Sequence, residues 1–218
     1  MTLAHTISSP RSPERLMRTL IVIPIIHAEQ DMGSMREAIK QEYVTRHGDE
    51  KWTEHLESIK QVWNGIRQMI AALELPYARV HLYQDGLPVC TKEANIVKEV
   101  AAQGSQNHQL LVELMAQGAQ LVGTEDPSLL LQEYQFHQSA LGGGKPGQDE
   151  NLQKEQSRML LAQRDRFIAG RINATLPCDE IGLLFVGMAH SVEPLLEEDI
   201  LTRHLLPSLR ERHVSTKC

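Results

Sequence analysis

Apolar and polar positions fall along this chain in two kinds of block. Continuous apolar runs over 19–26 (TLIVIPII), 78–84 (ARVHLYQ), 119–123 (AQLVG) and from Ile181 through Val186 (IGLLFV) are too short for helices. Turn residues or acids bound them, as expected of strands buried on both faces. The second kind is helical. Trp52, Leu56, Ile59, Trp63, Ile66, Ile70 and Leu73 recur at steps of three and four over 49–74 and stop at Pro76, a stripe that reads as core. Shorter helices are predicted over 34–43, with Ser34 and Glu37 as a capping box, and over 92–103 and 106–117, parted by Gly104-Ser105. Others are predicted over 127–140, 150–176 and 192–212, the last bent at Pro207.

The resulting order is β-αα-β-αα-β-αα-β-α. Helical pairs between short strands imply parallel crossovers, so the expected fold is α/β: a small, mostly parallel four-stranded sheet with paired helices on both faces. Its site should lie along the edge formed by the strand C-termini. A single domain over 18–213 is expected, behind a flexible polar lead-in over 1–17 that contains two prolines. The stretch GGGKPGQDE between the fifth and sixth helices is a loop. It is not a phosphate loop, because no strand precedes it and Pro follows its Lys.

Composition narrows the partners. The net charge is −6 and the basic residues are scattered, which argues against nucleic acid. Nothing approaches a membrane span, and the N-terminus lacks the apolar core of a signal peptide. Cys90, Cys178 and Cys218 have neither disulfide nor zinc spacing, so a cytoplasmic protein is expected.

The candidate chemistry lies at the strand ends. His27, Asp85, Glu125 and His190 each follow one of the four strands, and a parallel sheet brings such positions to one edge. Two imidazoles and two carboxylates suit a divalent metal such as manganese, cobalt or zinc. Without metal, a carboxylate could orient a histidine acting as general base. Glu29, Asp31 and Glu193 could supplement either arrangement. Tyr83 and His81 are read as core or helix contacts, and Cys90 carries no local mark of a nucleophile.

Laid out in this way, the chain resembles the TraB/TIKI group of the superfamily that also contains erythromycin-esterase-like and ChaN-like proteins. That superfamily carries two Gly-x-x-His motifs, after the first and last strands, with acids at intermediate strand ends. Gly187-Met188-Ala189-His190 matches the second motif, and RDRFIAGRI from Arg164 to Ile172 is similar to the helix that precedes it in TraB-like proteins. His27 corresponds to the first motif, and Asp85 and Glu125 to the acid positions. Three positions depart: Pro24 stands where the motif has Gly, Asp85 replaces Glu, and Asp165 replaces Asn.

The resemblance implies catalytic roles for His190, His27, Glu125, Asp85 and Arg164, with His27, His190, Asp85 and Glu125 as metal ligands. A bound ion would lower the pKa of water and polarise a carbonyl, and Arg164 could steady an oxyanion. Arg171 is expected to form a surface ion pair. The leading expectation is therefore a metal-assisted hydrolase acting on an amide or ester bond in a small molecule or peptide. The alternative is a non-catalytic protein binding haem or a small metabolite in the same cleft. A scaffolding role, with a homodimer formed through the Trp52–Leu73 stripe, requires that stripe to be exposed.

Overall fold

A computed structural model describes residues 17–25, 36–141 and 150–206. Five parallel strands form its sheet: β1 (Arg18–Ile25), β2 (Val80–Gln84), β3 (Gln120–Val122), β4 (Ile181–Gly187) and β5 (Ile200–His204), in the order β3-β2-β4-β1-β5. Six helices accompany them: α1 (Arg36–His47), α2 (Asp49–Ala72), α3 (Glu93–Ala102), α4 (Gln106–Ala116), α5 (Pro127–Leu141) and α6 (Glu150–Thr175). The α/β class, the parallel pairing and the helices on both faces agree with expectation. The strand count does not.

Side-chain parity sorts the core into two clusters, one on each face of the sheet. Ile21, Ile23 and Ile25 of β1 point with Leu82, Leu183 and Phe185 toward Ile59, Trp63, Ile66 and Ile70 of α2 and Leu110, Leu111 and Leu114 of α4. Leu20, Val22, Tyr83, Leu184 and Val186 point the other way, onto Ile168, Ala169, Ile172 and Leu176 of α6. The stripe on α2 is thus largely consumed inside one protomer, with Trp52 7% and Trp63 1% exposed and only its end at Leu73 open at 41%, which weakens it as a docking face. Tyr83 is likewise core: its hydroxyl meets Thr175 Oγ1 at 3.0 Å, and burial pushes its pKa up to about 12.

Where a helix is expected over 192–212, the described residues to 206 instead form a 3-10 turn (Glu193–Leu195) and β5, and the bend expected at Pro207 lies outside them. The cause is a need elsewhere in the fold. The outer edge of β1 presents backbone donors and acceptors that a buried strand must pair. β5 supplies the partners, from Arg18↔Ile200 to Val22↔His204. Arg18, 5% exposed, fixes the start of that pairing. It holds Asp199 through Nε and Nη2, both at 2.8 Å, and Glu197 at 2.5 Å. Its Nη1 donates to the carbonyls of Asn173 and Leu176 at the end of α6.

Pro24 also finds its explanation here. Val22 accepts from Leu205 N, so residues of its parity face β5, and Pro24 lies beyond the last β5 pair. Its missing N–H therefore leaves no gap in the ladder.

The loop after β2 folds onto the end of β3. Leu87 O accepts from both Thr124 N (3.0 Å) and Glu125 N (2.9 Å), and Val89 N donates to Glu125 O (2.9 Å). Gly123 makes this approach possible, since a Cβ there would sit 2.9 Å from Val89 Cα and 2.7 Å from Glu93 Oε1. Gly65, in α2, has nothing within 4 Å of such an atom. Two substitutions to alanine should therefore have opposite signs in urea unfolding. Gly123→Ala should cost about 1–3 kcal/mol through overpacking against backbone. Gly65→Ala should add roughly 0.5–1 kcal/mol by removing helix-interior glycine.

Candidate functional site

Because β4 lies between β1 and β2, the turn that follows it opens next to the end of β2. There His190, delivered by a turn in which its N–H donates to Gly187 O, meets Asp85. His190 Nε2 lies 3.3 Å from Asp85 Oδ2, and Nδ1 lies 2.6 Å from Asp165 Oδ1 on α6. Both carboxylates are themselves anchored by backbone. Gly187 N donates to Asp85 Oδ2 and Ser191 N to Asp165 Oδ2, each at 3.0 Å.

Arg164, one residue before Asp165, draws the remaining acids together. Its Nη2 donates to Asp85 Oδ1 and to Glu125 Oε1, both at 2.6 Å. Its Nε donates to Glu125 Oε2 at 3.1 Å, and its Nη1 to Glu133 Oε1 on α5 at 2.5 Å. Glu125 Oε1 takes a further bond from Gly86 N at 3.2 Å. These four side-chain bonds use four of the five N–H groups of a guanidinium and leave one on Nη1. The cluster is dry: side-chain exposure is 0% for Glu125, 7% for Asp85, 6% for Arg164 and 5% for His190.

The protonation states follow from those contacts. Burial would raise the Asp85 carboxyl, but His190, Arg164 and the Gly187 N–H hold it well below the usual carboxylate range. Glu125 is shifted the other way, although Arg164 and the Gly86 N–H both bind it. Burial pushes it above its ordinary value despite Arg164, and the charge on Asp85 adds to the rise. Burial opposes the charge on Arg164 and on His190, and in both cases the carboxylates prevail, Glu125 foremost for Arg164 and Asp85 for His190. Two neighbouring acids are thus shifted in opposite directions beside an imidazole shifted upward.

Of the residues singled out by sequence, Asp85, Glu125, Arg164 and His190 come together. His27, Glu29 and Asp31 lie outside the described residues. Glu193 does not join them. It is exposed and turns to His204, 3.1 Å away. Among the described residues Arg171 forms no ion pair, and its Nε instead donates to Gly123 O at 3.0 Å and supports the β3 end. Asp165 and Glu133 were not identified as site residues. Asp165 could have been found: it shares a helical stripe with Ile168, Ala169 and Ile172, all buried, so an acid there must have a partner.

Asp85, Glu125 and His190 each offer a ligand atom, all within 4.8 Å of one another. Two carboxylates and an imidazole fit a divalent ion by type and convergence. Arg164 already holds carboxylate oxygens of both acids, so an ion would share them with the guanidinium.

No family model, no curated protein and no solved structure matches this chain. The resemblance to TraB/TIKI proteins rests on the residues quoted for it.

Removing Arg164 strands Glu125 and Asp85 in a dry site. Arg164→Met should therefore cost about 3–5 kcal/mol in denaturant unfolding. Arg164→Lys should recover little, because an ammonium cannot span three carboxylates. The pH dependence has a definite sign. His190 is raised above its ordinary 6.5, so its contribution is complete below that value and is lost as pH rises through the folded one. Melting temperature should fall on that alkaline side in the native protein, and His190→Gln should flatten the fall.

Proposed function

We propose that this sheet edge hydrolyses an amide or ester bond in a small molecule or peptide, as expected of a divergent member of the TraB/TIKI-like group. The observation that carries the reading is the imidazole of His190 held between Asp165 and Asp85. With Nδ1 fixed by Asp165, the ring keeps one orientation, with Nε2 on the side of Asp85, 3.3 Å from its Oδ2. There it takes a proton from the attacking water and then gives it to the departing amine or alkoxide. Arg164, through its remaining N–H, faces the negative charge that builds on the carbonyl oxygen. Glu125, raised by burial, is the acid that can hold a proton beside ionised Asp85.

A divalent ion (manganese, cobalt or zinc) would be held by Asp85, Glu125 and His190, with His27 as the further ligand expected from the sequence. Such an ion supplies Lewis acidity and a bound water of lowered pKa. The free thiols of Cys90 and Cys178 support a cytoplasmic location. Among the described residues no helix is long and apolar enough to cross a membrane.

The alternative is a non-catalytic site for haem or a small metabolite. It is favoured by the near-complete burial of the acids and their pairing with Arg164.

A panel of chromogenic esters and amino-acid amides separates the two, assayed on protein stripped with chelator and then supplied with manganese, cobalt or zinc. Hydrolysis should fall by about a hundredfold or more in His190→Ala. Asp165→Asn should reduce kcat and move its pH profile while leaving KM close to native. Ion binding, read by calorimetry, should weaken in Glu125→Gln. Activity indifferent to His190→Ala would overturn the hydrolase reading. A silent protein whose haem absorption band depends on His190 would favour the alternative.

A further inference from the structure

Two amides are buried together at the carboxyl end of the apolar sheet face that packs on α2 and α4. Gln84 ends β2 on the same face as Val80 and Leu82, and Asn107 stands in the first turn of α4. Each is 2% exposed. Asn107 Nδ2 donates to Gln84 Oε1 at 3.0 Å, and Gln84 Nε2 donates to Asp85 O at 2.9 Å. The direction of this chain is forced. A peptide carbonyl only accepts, so Gln84 turns its amino group to Asp85 O and its oxygen to Asn107, which must give an N–H. Asn107 Oδ1 is thereby left buried without a partner. Such an oxygen destabilises the fold and a leucine would not carry it, so packing alone does not account for the pair.

The carbonyl they hold belongs to a tight turn. Leu87 N donates to Gln84 O at 3.2 Å, closing a turn of Gln84, Asp85, Gly86 and Leu87. Gly86 has φ +78° and Asp85 is not in the left-handed region, which makes the turn type II. Type I differs from it by a flip of the central peptide, here Asp85–Gly86, and glycine at this position permits both. Both polar ends of that peptide are engaged. Asp85 O accepts from Gln84, and Gly86 N donates to Glu125 Oε1 at 3.2 Å, where Arg164 also binds. In a trans peptide the two groups point in opposite directions, so holding one holds the other. Flipped, the peptide would turn the Asp85 carbonyl toward Glu125 and set two acceptors face to face.

We infer that Gln84 and Asn107 are positioning residues of this sheet edge, which lock the Asp85–Gly86 peptide with its N–H on Glu125. Asn107 orients the Gln84 carboxamide, Gln84 holds the Asp85 carbonyl, and the Gly86 N–H gives Glu125 a backbone donor. The pair thus acts on the acid cluster from the opposite face of the sheet, through one peptide plane. The inference rests on the reading of this edge as the working site, yet the lock is measurable without turnover. Its loss removes one hydrogen bond from what a flip must break, which makes the flipped state roughly fivefold more populated.

Asn107→Leu in the full chain tests this, with amide exchange followed by nuclear magnetic resonance. The variant discards the unpartnered Oδ1 and leaves Gln84 Oε1 unpartnered instead, so its melting temperature should stay close to native. The Gly86 amide should exchange roughly fivefold faster or more, and its resonance should move. The Leu87 amide should keep its native rate, because its bond to Gln84 O closes the turn in either type. Gln84→Met cuts the chain at its other link and should give the same pattern at a lower melting temperature. In hydrolysis kcat should fall by a similar factor while KM stays close to native. Native exchange at Gly86 in both variants overturns the inference. So does the release of Gly86 and Leu87 together, since the pair would then support the turn as a whole. A native protein that hydrolyses nothing sinks the hydrolase reading instead, and the two amides still decide the lock.

Discussion

A single guanidinium holds the carboxyl edge of this protein together. Arg164 stands on α6, reaches the ends of β2 and β3 through Asp85 and Glu125, and catches α5 through Glu133. Burying these charges is expensive, because each must leave water, and mutual attraction repays the loss only when every oxygen is also hydrogen-bonded. The site meets that condition. Glu125 takes bonds on both oxygens and Asp85 is bound from Arg164, His190 and Gly187. Arg18 plays the matching part at the C-terminal end of α6, where it binds the carbonyls of Asn173 and Leu176 and the acids that precede β5. Arg164, midway along the helix, and Arg18, at its end, thus bracket the segment that packs Ile168, Ala169 and Ile172 against the sheet.

How much of this the chain discloses by itself depends on whether the cause is local. The runs around Ile23, Leu82 and Phe185, and the stripe on α2, are local patterns, and the elements they predict are present. β5 is a different case. Acids at Glu197, Glu198 and Asp199 followed by Ile200 and Leu201 read as a helical face, and only the unpaired edge of β1, nearly two hundred residues away, makes the segment extended. The site divides along the same line. Asp85, Glu125 and His190 announce themselves because each follows a strand. Glu133 does not, since an acid on an exposed helix looks like ordinary surface until Arg164 reaches it. Asp165 lies between, marked by its apolar neighbours one turn on but given meaning only by the turn that carries His190.

The charges of the cluster decide its character. Asp85, Glu125, Glu133 and Asp165 face Arg164 and His190, so with every group ionised the acids exceed the cations by two. The excess bears most on Glu125: burial is its largest influence and raises its carboxyl, Arg164 opposes the rise, and the neighbouring charge of Asp85 adds to it. Asp85 is shifted the other way, because His190, Arg164 and a backbone N–H all favour its ionised form. The same excess of acid disfavours an anionic ligand at this edge and favours a neutral or cationic one. On the far side of the imidazole the carboxylate of Asp165, itself fixed by the Ser191 N–H, adds to the upward shift of His190 behind the larger effect of Asp85.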